Sequence, residues 1–304
     1  MARLVFLGTP PAAAVSLEAL VRAGHDVALV VSRADVRRGR GAARTPSPTK
    51  RLAFDLGLEV TDRLDDVVAT GSALGVVVAY GRIIPRRILD ALPMVNAHFS
   101  LLPRWRGAAP VERAVLAGDA ETGVCVMRLE EGLDTGPVLA SQRVRIGERE
   151  HVAALTDRLA VIGAQLLVDT LATGVDELPG GSPQHGDVTY AEKVKPEELR
   201  LDWARPASDL ERVVRLDRAW TTFRHERLLV LDAVARSSPD GAEPASSAVP
   251  VPGGLLGTSV HTGDGVLELL EVQPAGKRPM AAPAWCRGVR AEVGDRLGDD
   301  DPRH

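Results

Sequence analysis

Several things are scarce in this sequence, and each shortage narrows what the protein can be. Its 304 residues include two cysteines, Cys125 and Cys286, far apart and in no metal or redox spacing. That excludes a disulfide framework and a cysteine-rich zinc module, and it points to a reducing compartment, so the cytoplasm is the expected location. Aromatic residues make up 3%, so the core has to be built from Leu, Val, Ile and Ala. No apolar run approaches the roughly 20 residues that cross a bilayer. The first ten residues read as a strand and a turn, not as a secretory signal, and no membrane partner is expected. A basic surplus is also missing: Lys and Arg number 37 against 41 Asp and Glu, a net charge of −4. Any polyanion must therefore be met by local patches. The turn Gly8-Thr9-Pro10 has a single glycine where a dinucleotide loop has three, so no nicotinamide or flavin cofactor is expected.

The first half of the chain alternates strand-like and helix-like segments. Apolar strand patterns fall at 3–7, 26–31, 75–79, 95–99, 124–129 and 138–146. Helical spacing falls at 13–22, 48–56, 110–117 and 150–171. This order predicts an α/β domain with a doubly wound, mostly parallel sheet. The turn-rich stretch 179–186 ends that unit, and 187–205 reads as a connector. Beyond it come a short helix at 207–216 and strands at 227–233, 255–261 and 266–272, which suggest a small barrel or sandwich. The Ser-, Pro-, Ala- and Gly-rich stretch 237–254 reads as a mobile loop and 298–304 as a frayed end. The division predicted is 1–186, a linker at 187–203, and 204–304.

The segment 94–110 carries the most information. Along a strand, Asn96, His98 and Ser100 share one face and Val95, Ala97 and Phe99 the other. Three polar side chains on a central apolar strand are costly to bury without a task. Pro103 then ends the strand. An amide and an imidazole side by side at a strand end suit the stabilisation of a developing oxyanion. Taken alone, His98 could be a core histidine satisfied by a backbone carbonyl. Its place late in the sheet favours a site, because ligands of such sheets bind beyond the carboxyl ends of the strands.

A second polar motif lies at 130–136, where Gly132 and Gly136 bracket Asp134. It reads either as an ordinary turn with a surface acid or as the source of a carboxylate partner for His98, one that would orient the ring. The stretch 33–51 holds Arg33, Arg37, Arg38, Arg40, Arg44, Lys50 and Arg51 against one acid, Asp35. It reads equally as a solvated loop and as a flexible cationic arm for phosphates.

Asn96-Ala97-His98-Phe99-Ser100-Leu101-Leu102-Pro103 and the residues on to Pro110, with Gly132-Leu133-Asp134-Thr135-Gly136, resemble the folate-dependent formyltransferases. Gly8-Thr9-Pro10, Thr45-Pro46-Ser47-Pro48 and Val78-Ala79-Tyr80-Gly81 are similar to the methionyl-tRNA branch of that family. So are Tyr190-Ala191-Glu192-Lys193, Leu201-Asp202-Trp203 and Gln273-Pro274-Ala275-Gly276-Lys277-Arg278. The likeness runs from residue 1 to about 290. It implies a Rossmann-like catalytic domain followed by an OB-like β-barrel. It implies the donor 10-formyltetrahydrofolate, the acceptor initiator methionyl-tRNA, no metal, and by default a monomer. On the matching positions it implies Asn96, His98 and Asp134 as catalytic residues and Ser100, Leu101, Leu102 and Pro103 as folate contacts. It places tRNA contacts on Arg37, Arg38, Arg40 and Arg44. A sugar-nucleotide N-formyltransferase is the nearest alternative, and a formyltetrahydrofolate hydrolase and a non-catalytic RNA-binding protein stand behind it. Pro11 and Ala12 depart from the family, which commonly has an acid and an aromatic there. Arg218, Ala219 and Trp220 depart from its Asn-Pro-x-Pro-Gly-type segment. From 204 to 304 there are 13 Lys and Arg against 15 Asp and Glu. Contact with tRNA there must be local, through Arg212, Arg215, Lys277 and Arg278.

Overall fold

The computed structural model describes the chain except Met1, 38–43, 173, 176, 177, 179, 238–250, 293 and 299–304, with 36 and 37 in backbone only. Most of the 237–254 stretch and of the 298–304 end, and Arg38 and Arg40, therefore lie outside the described residues. The chain divides into two compact units. The first is Met1–Ala114, Ala120–Ile146 and Ala154–Lys193; the second is Val115–Asp119, Gly147–Ala153 and Val194–His304.

The first unit begins with β1 (Arg3–Gly8), α1 (Pro11–Arg22) and β2 (Asp26–Val31). A two-residue hairpin, β3 (Val36–Arg37) and β4 (Arg44–Thr45), is followed by α2 (Pro48–Asp55), β5 (Val60–Thr61) and a 3-10 helix at Leu64–Thr70. Then come β6 (Leu74–Val78), α3 (Arg86–Ala91), β7 (Met94–His98), β8 (Arg106–Gly107), α4 (Pro110–Ala117), β9 (Glu121–Arg128), β10 (Val138–Arg145), α5 (Val152–Leu171) and β11 (Tyr190–Ala191). Seven strands form one sheet in the order β10-β9-β7-β6-β1-β2-β5. The contacts β5–β2–β1–β6–β7 are parallel, and β9 runs antiparallel to both β7 and β10. The chain starts in the middle of the sheet, builds one side, then crosses to the other, as a doubly wound α/β unit does.

The local chemistry explains these elements. β6 and β7 are buried at every position, which suits β-branched and apolar side chains covered on both faces. α2 starts where Ser47 accepts a hydrogen bond from the Lys50 N–H at 3.0 Å, with Pro48 as its first helical residue. α5 buries Leu155, Leu159, Ala160, Gly163, Ala164, Leu167 and Leu171 along one stripe. A Cβ on Gly163 would lie 3.2 Å from Val124 and 3.3 Å from Phe99, so the glycine lets this helix approach β9 and the end of β7 closely.

The second unit holds a 3-10 helix at Pro196–Leu199, α6 (Ala207–Val214), β12 (Trp220–Phe223), β13 (Glu226–Arg236), β14 (Leu255–Leu256), β15 (Ser259–His261), β16 (Val266–Pro274), β17 (Met280–Ala281) and α7 (Ala282–Val289). Its antiparallel sheet runs β12-β13-β16-β15-β14, with β17 beside β16. Bridges from Leu297 to Phe223 and from Arg296 to Gly254 link a terminal segment to both ends of that sheet. Trp203, Leu210, Val230, Val260, Leu267, Val272 and Trp285 are among its core residues. Phe223 and Trp285 meet edge to face at 5.1 Å.

Three sequence expectations change here. The strand expected at 255–261 is the hairpin β14–β15, because Gly257 takes φ +62° and reverses the chain. The connector at 187–205 is partly strand, since β11 pairs in parallel with β8. Arg215 is 9% exposed, and its guanidinium donates to the Glu150 carbonyl at 2.9 Å and the Gly147 carbonyl at 3.0 Å. A cation held this way is a structural brace, not a surface contact for phosphates.

Candidate active site

Strand β7 delivers the first two site residues. It is paired on both sides, with Asn96 level with Val77 and Met127, and His98 level with Cys125. Asn96 and His98 are 9% and 6% exposed. The Asn96 amide has no hydrogen-bond partner among the described residues. Its side-chain atoms are not among the fully buried unsatisfied ones, so the amide keeps contact with solvent and is open to a ligand's oxygen.

His98 is held on both sides. Its Nε2 lies 2.8 Å from the Trp105 carbonyl oxygen. A carbonyl only accepts, so Nε2 carries a proton. Nδ1 is then the nitrogen facing Asp134, whose Oδ2 is 3.6 Å away. The separation is longer than a good hydrogen bond, and it is an ion pair only when the ring is doubly protonated. The two sequence readings of His98 thus coexist: one ring nitrogen is satisfied by backbone, and the other faces a carboxylate.

Asp134 reaches this place from the loop between β9 and β10. Its φ is +51°, in the left-handed region, where Asp is tolerated better than most residues. Its side chain is 12% exposed, and Oδ2 accepts the Gly107 N–H at 2.8 Å. The glycines around it are there for space. A Cβ on Gly136 would stand 2.0 Å from the Arg128 carbonyl, and one on Gly107, at φ +124°, would stand 2.9 Å from the Ala191 carbonyl. A concavity of about 410 Å³ borders the same loop, between Arg86, Leu89 and Asp90 on one side and Leu129 to Gly132 on the other. It contains none of Asn96, His98 and Asp134.

The segment 100–103 forms the turn after β7. Ser100 is fully buried, and its hydroxyl donates to the Arg104 carbonyl at 2.6 Å, so it closes its own turn. Leu101 and Leu102 are half-buried, and the Leu102–Pro103 peptide is cis. In the basic stretch, Arg37 and Arg44 stand opposite each other in the β3–β4 hairpin, and Arg44 is exposed.

Residues 2–171 match the Formyl transferase family, and residues 193–290 match the Formyl transferase, C-terminal domain family. The chain belongs to the formyl transferase family. Methionyl-tRNA formyltransferase of Roseobacter denitrificans is 43% identical over 306 residues, covering 96% of this chain and 97% of its own. That of Symbiobacterium thermophilum is 43% identical over 316 residues, covering 98% and 95%. Among solved structures, the N-formyltransferase from Helicobacter canadensis, in complex with folinic acid and dTDP-3-aminofucose, aligns with a TM-score of 0.66 at 15% identity. The alignment covers 91% of this chain and 100% of that one. At that identity the likeness is one of fold alone.

In this formyl transferase, the thiol level with His98 in the sheet is buried. Cys125 is 2% exposed, and burial pushes its pKa up, against a smaller lowering by a hydrogen bond with the Leu102 backbone. Nucleophilic catalysis by cysteine therefore has no support. No group of three or more His, Cys, Asp and Glu stands ready for a metal ion among the described residues, and no described helix is long and apolar enough to cross a membrane. The sequence reading missed the groups that hold the site: the Trp105 carbonyl, the Gly107 N–H and the Gln184 amide. Two are backbone atoms with no sequence signal, and the third lies 50 residues beyond the loop it binds.

Proposed function

We propose that this formyl transferase carries a formyl group from 10-formyltetrahydrofolate to the α-amine of initiator methionyl-tRNA. The observation that carries the reading is 43% identity to methionyl-tRNA formyltransferase over 97% of that relative's length. Asn96, His98 and Asp134 are the catalytic set of the proposal. The folate, when bound, supplies an activated formyl carbon on N10.

The acceptor amine has a pKa of about 7.7–8, so part of it is neutral near pH 7. Positioning and oxyanion stabilisation then matter more than a strong base. Asn96 donates its unpartnered amide N–H to the formyl oxygen as negative charge builds there. His98 is anchored through Nε2, which leaves Nδ1 as the nitrogen that serves the reacting centre. The amine attacks the formyl carbon, Nδ1 takes up the proton it releases and Asp134 stabilises the charge the ring then acquires; collapse breaks the C–N10 bond, and the proton passes to N10 of the departing tetrahydrofolate. The turn at Ser100, Leu101, Leu102 and Pro103 offers the folate backbone groups and the two half-buried leucines, while the Ser100 hydroxyl stays in its turn.

The tRNA falls to the basic arm, through Arg37, Arg38, Arg40 and Arg44. Arg37 and Arg44 are paired in register across β3 and β4, and Arg44 is exposed. For the second unit we propose an OB-like barrel, supported by the bridges from 296–297 to both sheet ends, with Lys277 and Arg278 as its RNA-facing cations. The working division is 1–186, 187–203 and 204–304. The enzyme acts as a monomer in the cytoplasm, where charged tRNA is found.

The test is transfer of labelled formyl from 10-formyltetrahydrofolate to charged initiator tRNA. Label recovered on methionyl-tRNA supports the reading. Label recovered only as formate, or only on a nucleotide-linked amino sugar, overturns it.

A further inference from the structure

The segment 182–192 lies outside the motifs that suggested the chemistry, yet it is laid across both legs of the site. At one end, Ser182 exchanges two backbone hydrogen bonds with Val138, at 2.8 and 2.9 Å. At the other, Tyr190 and Ala191 pair with Arg106 and Gly107. Between these anchors two side chains reach inward. Gln184 donates through Nε2 to the carbonyl oxygens of Asp134 and Gly136, both at 2.8 Å. Its Oε1 accepts from Arg106 Nε at 3.0 Å and Nη2 at 2.6 Å. Thr189 Oγ1 accepts the Trp105 N–H at 2.8 Å, and the Trp105 carbonyl is the group that anchors His98 Nε2.

Building on the reading of His98 and Asp134 as the working pair, we propose that Gln184 and Thr189 are positioning residues that fix the separation of the two. Gln184 ties together the two carbonyls on either side of Thr135, clamping the loop at the residue whose φ is +51°. Thr189 clamps Trp105, itself at φ +64°, and through it the imidazole. Both clamps hang from one strap, so the ring and the carboxylate are set against a common support. The chemistry at 184 admits few substitutes. Only a carboxamide offers two donors for carbonyls and an acceptor for a guanidinium on one planar group; a carboxylate cannot donate, and a cationic side chain cannot accept. The Nδ1–Oδ2 separation of 3.6 Å is already beyond a good hydrogen bond, and a further misplacement of about 1 Å costs on the order of 100-fold in rate.

The experiment compares Gln184→Glu, Thr189→Val and Asp134→Asn in the full chain, with kcat, KM for each substrate, melting temperature and hydrogen exchange of the Gly107 amide. Gln184→Glu keeps the length and the Arg106 contact but removes both donors. It should lower kcat about 10–100-fold and leave both KM values within about twofold, since binding contacts are untouched. The Gly107 amide, whose proton is held by Asp134 Oδ2, should exchange faster while the protein still melts cooperatively. Thr189→Val, nearly isosteric and outside the Gln184 contacts, should show the same fall in kcat with KM preserved. Wild-type kcat in Gln184→Glu or in Thr189→Val overturns the positioning role of that residue, and wild-type kcat in both overturns the inference while leaving the catalytic set intact. Full turnover by Asp134→Asn overturns the catalytic assignment beneath it.

Discussion

Asn96 is where residue chemistry is most exposed to test. It sits in a strand paired on both sides and 9% exposed, with an amide that serves no described neighbour. Asn96→Ala should lower kcat by about 100–1000-fold, the loss of one oxyanion donor at ~2.7–4 kcal/mol. The melting temperature should hold, because no hydrogen bond to another described residue is lost. Steady-state kinetics alongside calorimetry reads both, and a variant that turns over normally removes Asn96 from the mechanism. Arg215 gives the opposite prediction. Its two carbonyl partners at 147 and 150 would lose their donors in Arg215→Met, destabilising the protein by roughly 2–4 kcal/mol. Urea unfolding measures this, and an unchanged midpoint would show that water replaces the guanidinium.

Loops and strands hold the site in register together with the side chains that clamp them. Gly136→Ala places a methyl 2.0 Å from the Arg128 carbonyl, so the loop that carries Asp134 must move. Activity should fall about 100-fold, as expected for a misplacement near 1 Å, with the protein still folded by circular dichroism. Normal activity would mean the loop shifts without moving the carboxylate. Helix α5 is a packing element. Leu159→Ala removes a fully buried side chain and should cost about 2–5 kcal/mol, measured by chemical unfolding. Much of this level was legible beforehand. The alternation at 94–98 marked β7 and put Asn96 and His98 on one face, and the four-residue spacing of leucines marked α5. Elements without period or length were not legible. α7 begins at Ala282, and β12 is the four residues Trp220–Phe223; both owe their existence to the core around Phe223 and Trp285. The strap at 182–192 carries no apolar period, so sequence offered only its turn residues.

At the scale of the whole molecule, the charges nearly cancel, −4 overall, so RNA binding must be concentrated in few places. If the arm supplies it, Arg40→Ala with Arg44→Ala removes two phosphate contacts. The slope of log affinity for tRNA against log salt should then flatten by roughly 1.5, with folate affinity unchanged. A filter-binding titration at several salt concentrations checks this. An unaltered slope would move the tRNA contacts elsewhere.

The sequence by itself determined the family and the α/β order of the first unit, and it put forward Asn96, His98 and Asp134, because these are written in local pattern and short motifs. Only the tertiary structure decided which nitrogen of His98 faces the acid, that the Ser100 hydroxyl and the Arg215 guanidinium are turned to internal work, and that the segment 182–192 braces the site. The reason is physical. A hydrogen bond to a backbone carbonyl leaves no mark on composition or periodicity, and the partners here are 4 to 68 residues apart along the chain.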